Sequence, residues 1–162
     1  KFATMVKNSE KIGAGTVTVR NDPRVLPFGR ILRITKVNEL PQLFNIFAGD
    51  MSVIGPRPLL SKQFSMYSEE DKKIISSVRP GLSGVGSIVF RDEEKLLSKE
   101  LDPLEFYQKK ISPHKAYLEK WYVENNSIYL YFKLIILTVY VVIIDINNIE
   151  KYISYNLKAF KN

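Results

Sequence analysis

The sequence contains no cysteine and a single histidine, His114. A disulfide framework, a zinc-thiolate site, an iron–sulfur cluster and a cysteine nucleophile are excluded by the first fact, and the second argues against a His-based metal site or triad. Glycine and proline number eight each, too few for a fibrous or collagen-like chain. Long apolar runs are also missing: the cleanest, 134–144, is eleven residues, short of the roughly twenty that span a bilayer. No secretory leader is expected, because Lys1-Phe2-Ala3-Thr4-Met5 runs into polar residues. The first residue is lysine rather than methionine, so the sequence is expected to be a processed, trimmed or N-terminally incomplete form. With thiols and imidazoles set aside, catalysis must rest on carboxylates, cations, hydroxyls and backbone amides, with a hard metal ion such as magnesium as helper.

What is present describes one folded unit. The 162 residues are 45% hydrophobic, 12% aromatic and 25% charged, enough for one core and too apolar for a disordered chain. The net charge of +7 is unevenly spread, since residues 1–36 hold eight cations against two anions, Glu10 and Asp22. A basic segment of this kind suits phosphate, whether in a nucleic acid, a nucleotide or a lipid headgroup, and it is equally compatible with a solvated face.

Along the chain, the β-branched alternation at 14–20 predicts a strand ending in the Asn21-Asp22-Pro23 turn, and 26–34 has helical spacing. Asn38 is placed as the N-cap of a helix that carries Leu40, Leu43, Phe44 and Phe47 on one face and closes at Gly49. The run 53–58 reads as a rigid loop, because prolines at 56 and 58 flank Arg57. Helices are expected at 69–76, 92–100 and 104–120, a turn at Arg79-Pro80-Gly81 and a second strand at 83–90. The apolar stretch 128–146, interrupted by Lys133, fits a buried helix or one lying in a membrane interface, and the polar tail 147–162 is expected to be poorly ordered. These readings give an α+β domain over 1–146, mostly helical with a short strand pair.

Arg33 ahead of Asn38-Glu39, Asp50 beyond the helix, and Arg57 between its prolines are the parts a phosphate-transfer site uses. A carboxylate holds magnesium, guanidinium groups grip phosphate oxygens in pairs, and a helix N-terminus favours negative charge. From these residues alone the reading is a phosphate-binding domain at or near a membrane.

The chain resembles the bacterial sugar transferases, monotopic polyprenyl-phosphate phosphoglycosyl transferases. The resemblance is carried by Lys1-Phe2-Ala3-Thr4-Met5, Asn21-Asp22-Pro23-Arg24-Val25, Pro27-Phe28-Gly29-Arg30, Leu32-Arg33, Asn38-Glu39-Leu40-Pro41-Gln42-Leu43, Gly49-Asp50-Met51-Ser52, Gly55-Pro56-Arg57-Pro58 and Arg79-Pro80-Gly81-Leu82-Ser83-Gly84, in that order over 1–144. It implies transfer of a sugar 1-phosphate from a nucleotide diphosphate sugar to a membrane polyprenyl phosphate, with Mg2+, at the cytoplasmic face of a bacterial inner membrane. Such a step starts polysaccharide or glycan assembly. It implies Asn38 and Glu39 at the catalytic positions, Glu39 as metal ligand, and Lys1, Arg33, Arg57 and Arg79 as phosphate-binding residues. It also implies a re-entrant membrane helix before the Lys1-Phe2 block and leaves room for a homo-oligomer.

Two residues depart from the family pattern. Asn38 stands where the family has a nucleophilic Asp, and Ala3 where it usually has Arg. Three outcomes stay open at position 38: Glu39 takes over as nucleophile, the phosphosugar passes directly to the lipid, or the chain is a catalytically silent scaffold that binds nucleotide sugar or membrane. A nucleic-acid binder is set aside, because it leaves the apolar stretch and the Gly-Pro-Arg-Pro loop without purpose.

Overall fold

The computed structural model describes residues 1–143. The expected strand at 14–20 is not formed: the segment is a series of turns around the side chain of Arg24, with Gly13 and Gly15 at positive φ. Arg24 is 4% exposed. Its Nη1 donates to the carbonyls of Ser9, Ile12 and Gly15 at 2.8, 2.9 and 2.6 Å, and its Nη2 to that of Val17 at 2.5 Å. Asp22 closes the other side, accepting from Nε at 2.8 Å and from Nη2 at 2.5 Å. Carbonyls that a strand would send to a neighbouring strand are spent on one guanidinium, so the β-branched pattern loses to a buried five-donor hub.

Helix α1 (Pro27–Ile34) begins with proline at its first turn, as that residue favours. Its Gly29 packs under the Thr4 backbone, so closely that a Cβ would collide with the Thr4 carbonyl. Asn38 does not cap a helix. Lys36 turns the chain in the left-handed region (φ 58), Val37–Glu39 form a 3₁₀ turn, and helix α2 (Gln42–Phe47) starts only after Pro41. Its end matches expectation, with Gly49 at φ 85.

Strand β1 (Ser52–Ile54) occupies the front of the expected loop at 53–58 and leaves Gly55–Pro58 as the loop proper. Helices α3 (Ser61–Phe64) and α4 (Glu69–Ile75) carry the chain across to β2 (Gly81–Ser83), which pairs with β1 in parallel, Ser52 opposite Gly81 and Ile54 opposite Ser83. Gly81 therefore opens a strand instead of closing a turn. A Cβ there would run into the Gly55 backbone, so only glycine allows the two strands to approach this closely. The second strand expected at 83–90 stops at Ser83, and helix α5 (Val85–Val89) follows. In that run Val85 and Ile88 lie three apart and bury together, a helical spacing that the β-branched composition concealed.

Helix α6 (Glu93–Leu97) is shorter than expected. Helix α7 (Pro103–Phe106), a π-helical turn Tyr107–Ile111 and α8 (Ser112–Asn125) make one continuous rod. Helix α9 (Ile128–Ile143) places Leu130, Leu134, Leu137 and Val141 into the main core beside Ile54, Val85, Ile88, Leu118 and Tyr122. Each fully buried leucine there contributes about 1.5–3 kcal/mol. Its outer face leaves Ile128, Tyr129, Phe132 and Ile136 exposed. No helix among the described residues is long and apolar enough to cross a membrane. The expected α+β, mostly helical character is observed, and the tail expected at 147–162 lies outside the described residues.

Candidate active site

The 3₁₀ turn turns the Glu39 carboxylate toward two cations from distant parts of the chain. Lys1 Nζ lies 2.9 Å from each carboxylate oxygen, and Arg57 Nη2 donates to Oε1 at 2.8 Å. Lys1 is brought there by its neighbour Phe2, whose N–H donates to the Asn38 carbonyl at 3.0 Å. Arg57 arrives on the Gly55–Pro58 loop, held by its prolines and by the Gly81 N–H bond to the Pro56 carbonyl at 2.9 Å.

Burial pushes the Glu39 carboxyl up, but the bond from Lys1 and the charges of Arg57 and Lys1 outweigh it and hold the group below the usual carboxylate range. Lys1 is displaced in turn: burial and the neighbouring Arg57 charge lower its ammonium below the ordinary lysine value. Two cations facing one carboxylate leave a positive surplus, which is suited to a further anion.

Asn38, adjacent in the chain, has its Oδ1 buried without a hydrogen-bond partner among the described residues. Its amide is neutral and offers no ionisable oxygen for attack on phosphorus. Arg33 is not part of this cluster. Its Nε donates to Thr4 Oγ1 at 2.9 Å and its Nη1 pairs with Glu94 at 3.3 Å. Arg79 is exposed, with its guanidinium next to Gly49, and Asp50 is exposed at the end of α2. Of the expected set, the structure brings together Lys1, Asn38, Glu39 and Arg57 and leaves Arg33 and Arg79 outside their hydrogen-bond network.

Behind Arg57 opens a cavity of about 380 Å3 between the Gly55–Pro58 loop, α3, α4, α5 and α8. Its polar lining comprises Arg57, Ser61, Tyr67, Ser76, Ser87, Lys115 and Glu119, and of these only Arg57 stands out in the sequence. Glu119 falls on the same helical face as Ala116 and Tyr122, both buried, so an acidic residue on a core stripe was the available signal. Burial pushes its carboxyl up to about 7, against the backbone N–H groups of Arg57 and Gly86 and the charge of Lys115, all of which favour ionisation.

Residues 1–145 match the family described as bacterial sugar transferase. The chain belongs to that family. Among curated proteins it is similar to the undecaprenyl-phosphate galactose phosphotransferase of Salmonella typhimurium, 30% identical over 151 residues, covering 82% of this chain and 28% of that protein. The UDP-glucose:undecaprenyl-phosphate glucose-1-phosphate transferase of Klebsiella pneumoniae is 34% identical over 139 residues, 85% of this chain and 27% of its own. An uncharacterized sugar transferase of Bacillus subtilis is 32% identical over 145 residues, 90% of this chain and 62% of its own. The chain thus spans little more than a quarter of the first two relatives and under two thirds of the third. For this bacterial sugar transferase domain, the Lys1–Glu39–Arg57 cluster is the candidate active site.

Proposed function

We propose that this chain transfers a sugar 1-phosphate from a nucleotide diphosphate sugar to a polyprenyl phosphate at the cytoplasmic face of a bacterial membrane. The observation that carries the reading is the Glu39 carboxylate clamped between Lys1 and Arg57, with positive charge left over for a diphosphate. The names of the Salmonella and Klebsiella relatives supply the substrate classes, an undecaprenyl phosphate acceptor and a UDP-sugar donor.

In the transfer, an oxygen of the lipid phosphate forms the new bond to the sugar-bearing phosphorus. The bond from that phosphorus to the nucleoside monophosphate breaks, and the monophosphate leaves with the electron pair. Direct attack by the lipid is favoured over attack by Glu39, because two cations lower the basicity of that carboxylate and with it its nucleophilicity. Arg57 and Lys1 grip the phosphoryl oxygens and stabilise the charge that builds on them, and Asn38 supplies a neutral amide beside the reacting group.

Magnesium fits this site in one form only. Among the described residues no three His, Cys, Asp or Glu side chains gather into a cage. Glu39 and the unpartnered Oδ1 of Asn38 are oxygen donors of the kind that hold an ion already carried by phosphates. Bound there, magnesium would neutralise charge on the diphosphate.

The test is a transfer assay with UDP-glucose or UDP-galactose, undecaprenyl phosphate and magnesium. Lipid-linked sugar phosphate and UMP are expected, with Arg57→Ala slower by about a hundredfold, the scale of losing one phosphate-stabilising donor. Arg57→Lys should recover only part, since lysine cannot make the two-pronged contact. A phosphosugar adduct on Glu39 in mass spectra would overturn direct attack. Absence of any transfer while UDP-sugar still binds would favour the silent-scaffold reading, which Asn38 supports.

A further inference from the structure

The cavity behind Arg57 plays no part in the charge chemistry above, yet it contains buried polar atoms with nothing to bind. Glu119 is 6% exposed. Its Oε2 and the Ser87 Oγ are both buried without a hydrogen-bond partner among the described residues. An unpaired buried acceptor of this kind costs on the order of 1–3 kcal/mol. Lys115 does not relieve it, being paired with Glu93 and lying over the Phe90 and Tyr107 rings at 5.6 and 5.4 Å. The backbone leaves room at the carboxylate: a Cβ on Gly86 would sit 2.6 Å from Glu119 Oε1.

Arg57 joins this cavity to the candidate active site. It lines the cavity, its backbone N–H faces Glu119, and its guanidinium holds Glu39. A molecule whose phosphates rest on that guanidinium can therefore send a ring inward.

We propose that the cavity receives the nucleoside end of the nucleotide sugar, with Glu119 and Ser87 meeting the N–H and hydroxyl donors of its base or ribose. This rests on the donor class proposed above and adds the place where its nucleoside binds. The walls decide between the candidate rings. Pro58, Leu59, Phe64, Ile75 and Val78 are apolar, which suits the flat faces of a base, whereas a pyranose carries hydroxyls around its whole rim. A polyprenyl chain has no donor to give Glu119.

The experiment is calorimetric titration of the full chain with UMP and, separately, with glucose 1-phosphate, for the parent and for Glu119→Gln, Ser87→Phe and Leu59→Trp. Loss of a hydrogen bond to a charged acceptor should weaken UMP binding by about tenfold or more in Glu119→Gln. The two larger side chains should block UMP while glucose 1-phosphate binding stays as in the parent. Thermal melting checks each variant, and if Glu119→Gln does not fold, the two cavity-filling variants decide the matter. UMP affinity unchanged in every folded variant, or a loss confined to glucose 1-phosphate, overturns the proposal. Transfer with an unaltered KM for UDP-sugar in Ser87→Phe defeats the subsite alone. UMP binding that responds as expected in a chain without transferase activity supports the subsite and defeats only the reaction.

Discussion

At the residue scale, the two side chains that matter most do opposite things with charge. Arg24 spends its donors on its own backbone and on Asp22, whose carboxyl that guanidinium holds below the usual range. Arg24→Met should cost about 3–5 kcal/mol, because it leaves a carboxylate and several carbonyls buried without their partner. Urea unfolding reads this directly, and an unmoved midpoint would contradict the hub. Glu39, by contrast, is held by cations that still have capacity to bind. Next to it, Asn38→Asp should place an ionisable oxygen at the position where the family resemblance leads one to expect a nucleophile. The expected gain in transfer is about tenfold or more, each factor of ten being about 1.4 kcal/mol of barrier. The fold should be little changed, since Asn38 is anchored through its backbone carbonyl and its side-chain oxygen has no partner to lose. Equal rates for parent and variant would remove position 38 from the mechanism.

At the scale of elements, α1 and α2 flank the Glu39 turn and both leave apolar side chains in solvent. Phe28, Ile31 and Ile34 stand out from the first, and Phe44 and Phe47 from the second, the last 87% exposed. With exposed Arg30 and Lys36 nearby, this surface combines the apolar and basic side chains that contact with an anionic lipid interface would require. The double variant Phe44→Ser, Phe47→Ser should lose co-sedimentation with anionic phospholipid vesicles, each phenylalanine contributing about 1.5–3 kcal/mol. Its melting temperature should stay near the parent's, because neither ring is in the core. Retained co-sedimentation would remove α2 from the contact.

The same elements explain what the sequence made readable. Helical spacings around 27–34, 69–75 and 128–143 put their helices within a few residues of the observed ends; the last buries one regular face through Leu130, Leu134, Leu137 and Val141, whereas the first keeps Phe28, Ile31 and Ile34 together on an exposed face. The failures have physical causes. A buried guanidinium replaced the strand at 14–20, and Pro41 delayed α2 so that Asn38 fell in a 3₁₀ turn. The site was half legible: Glu39 and Arg57 stand in distinctive local sequence, whereas Glu119 sits in a plain helical repeat and acquires meaning only when α8 packs under the Gly55–Pro58 loop.

At the scale of the whole molecule, the cavity and the charge cluster are held together by one rod, the continuous helix from Pro103 to Asn125, because Glu119 reaches the loop of Arg57 only if that rod keeps its rotation. The π-helical turn Tyr107–Ile111 lies upstream of it and contains one residue more than an α-turn needs, with Gln108, Lys109 and Lys110 exposed between buried Tyr107 and Ile111. A residue removed from an ordinary α-helix rotates everything beyond it by about 100°. Removed from this turn, the loss is absorbed as the wide ring tightens to α geometry, and the phase of Glu119 is kept. Deleting Lys109 should therefore leave melting and UMP affinity close to those of the parent, while deleting Tyr117, on the rod two residues before Glu119, should abolish both. This length tolerance makes 107–111 a point where the chain can shorten by one residue without loss of its site.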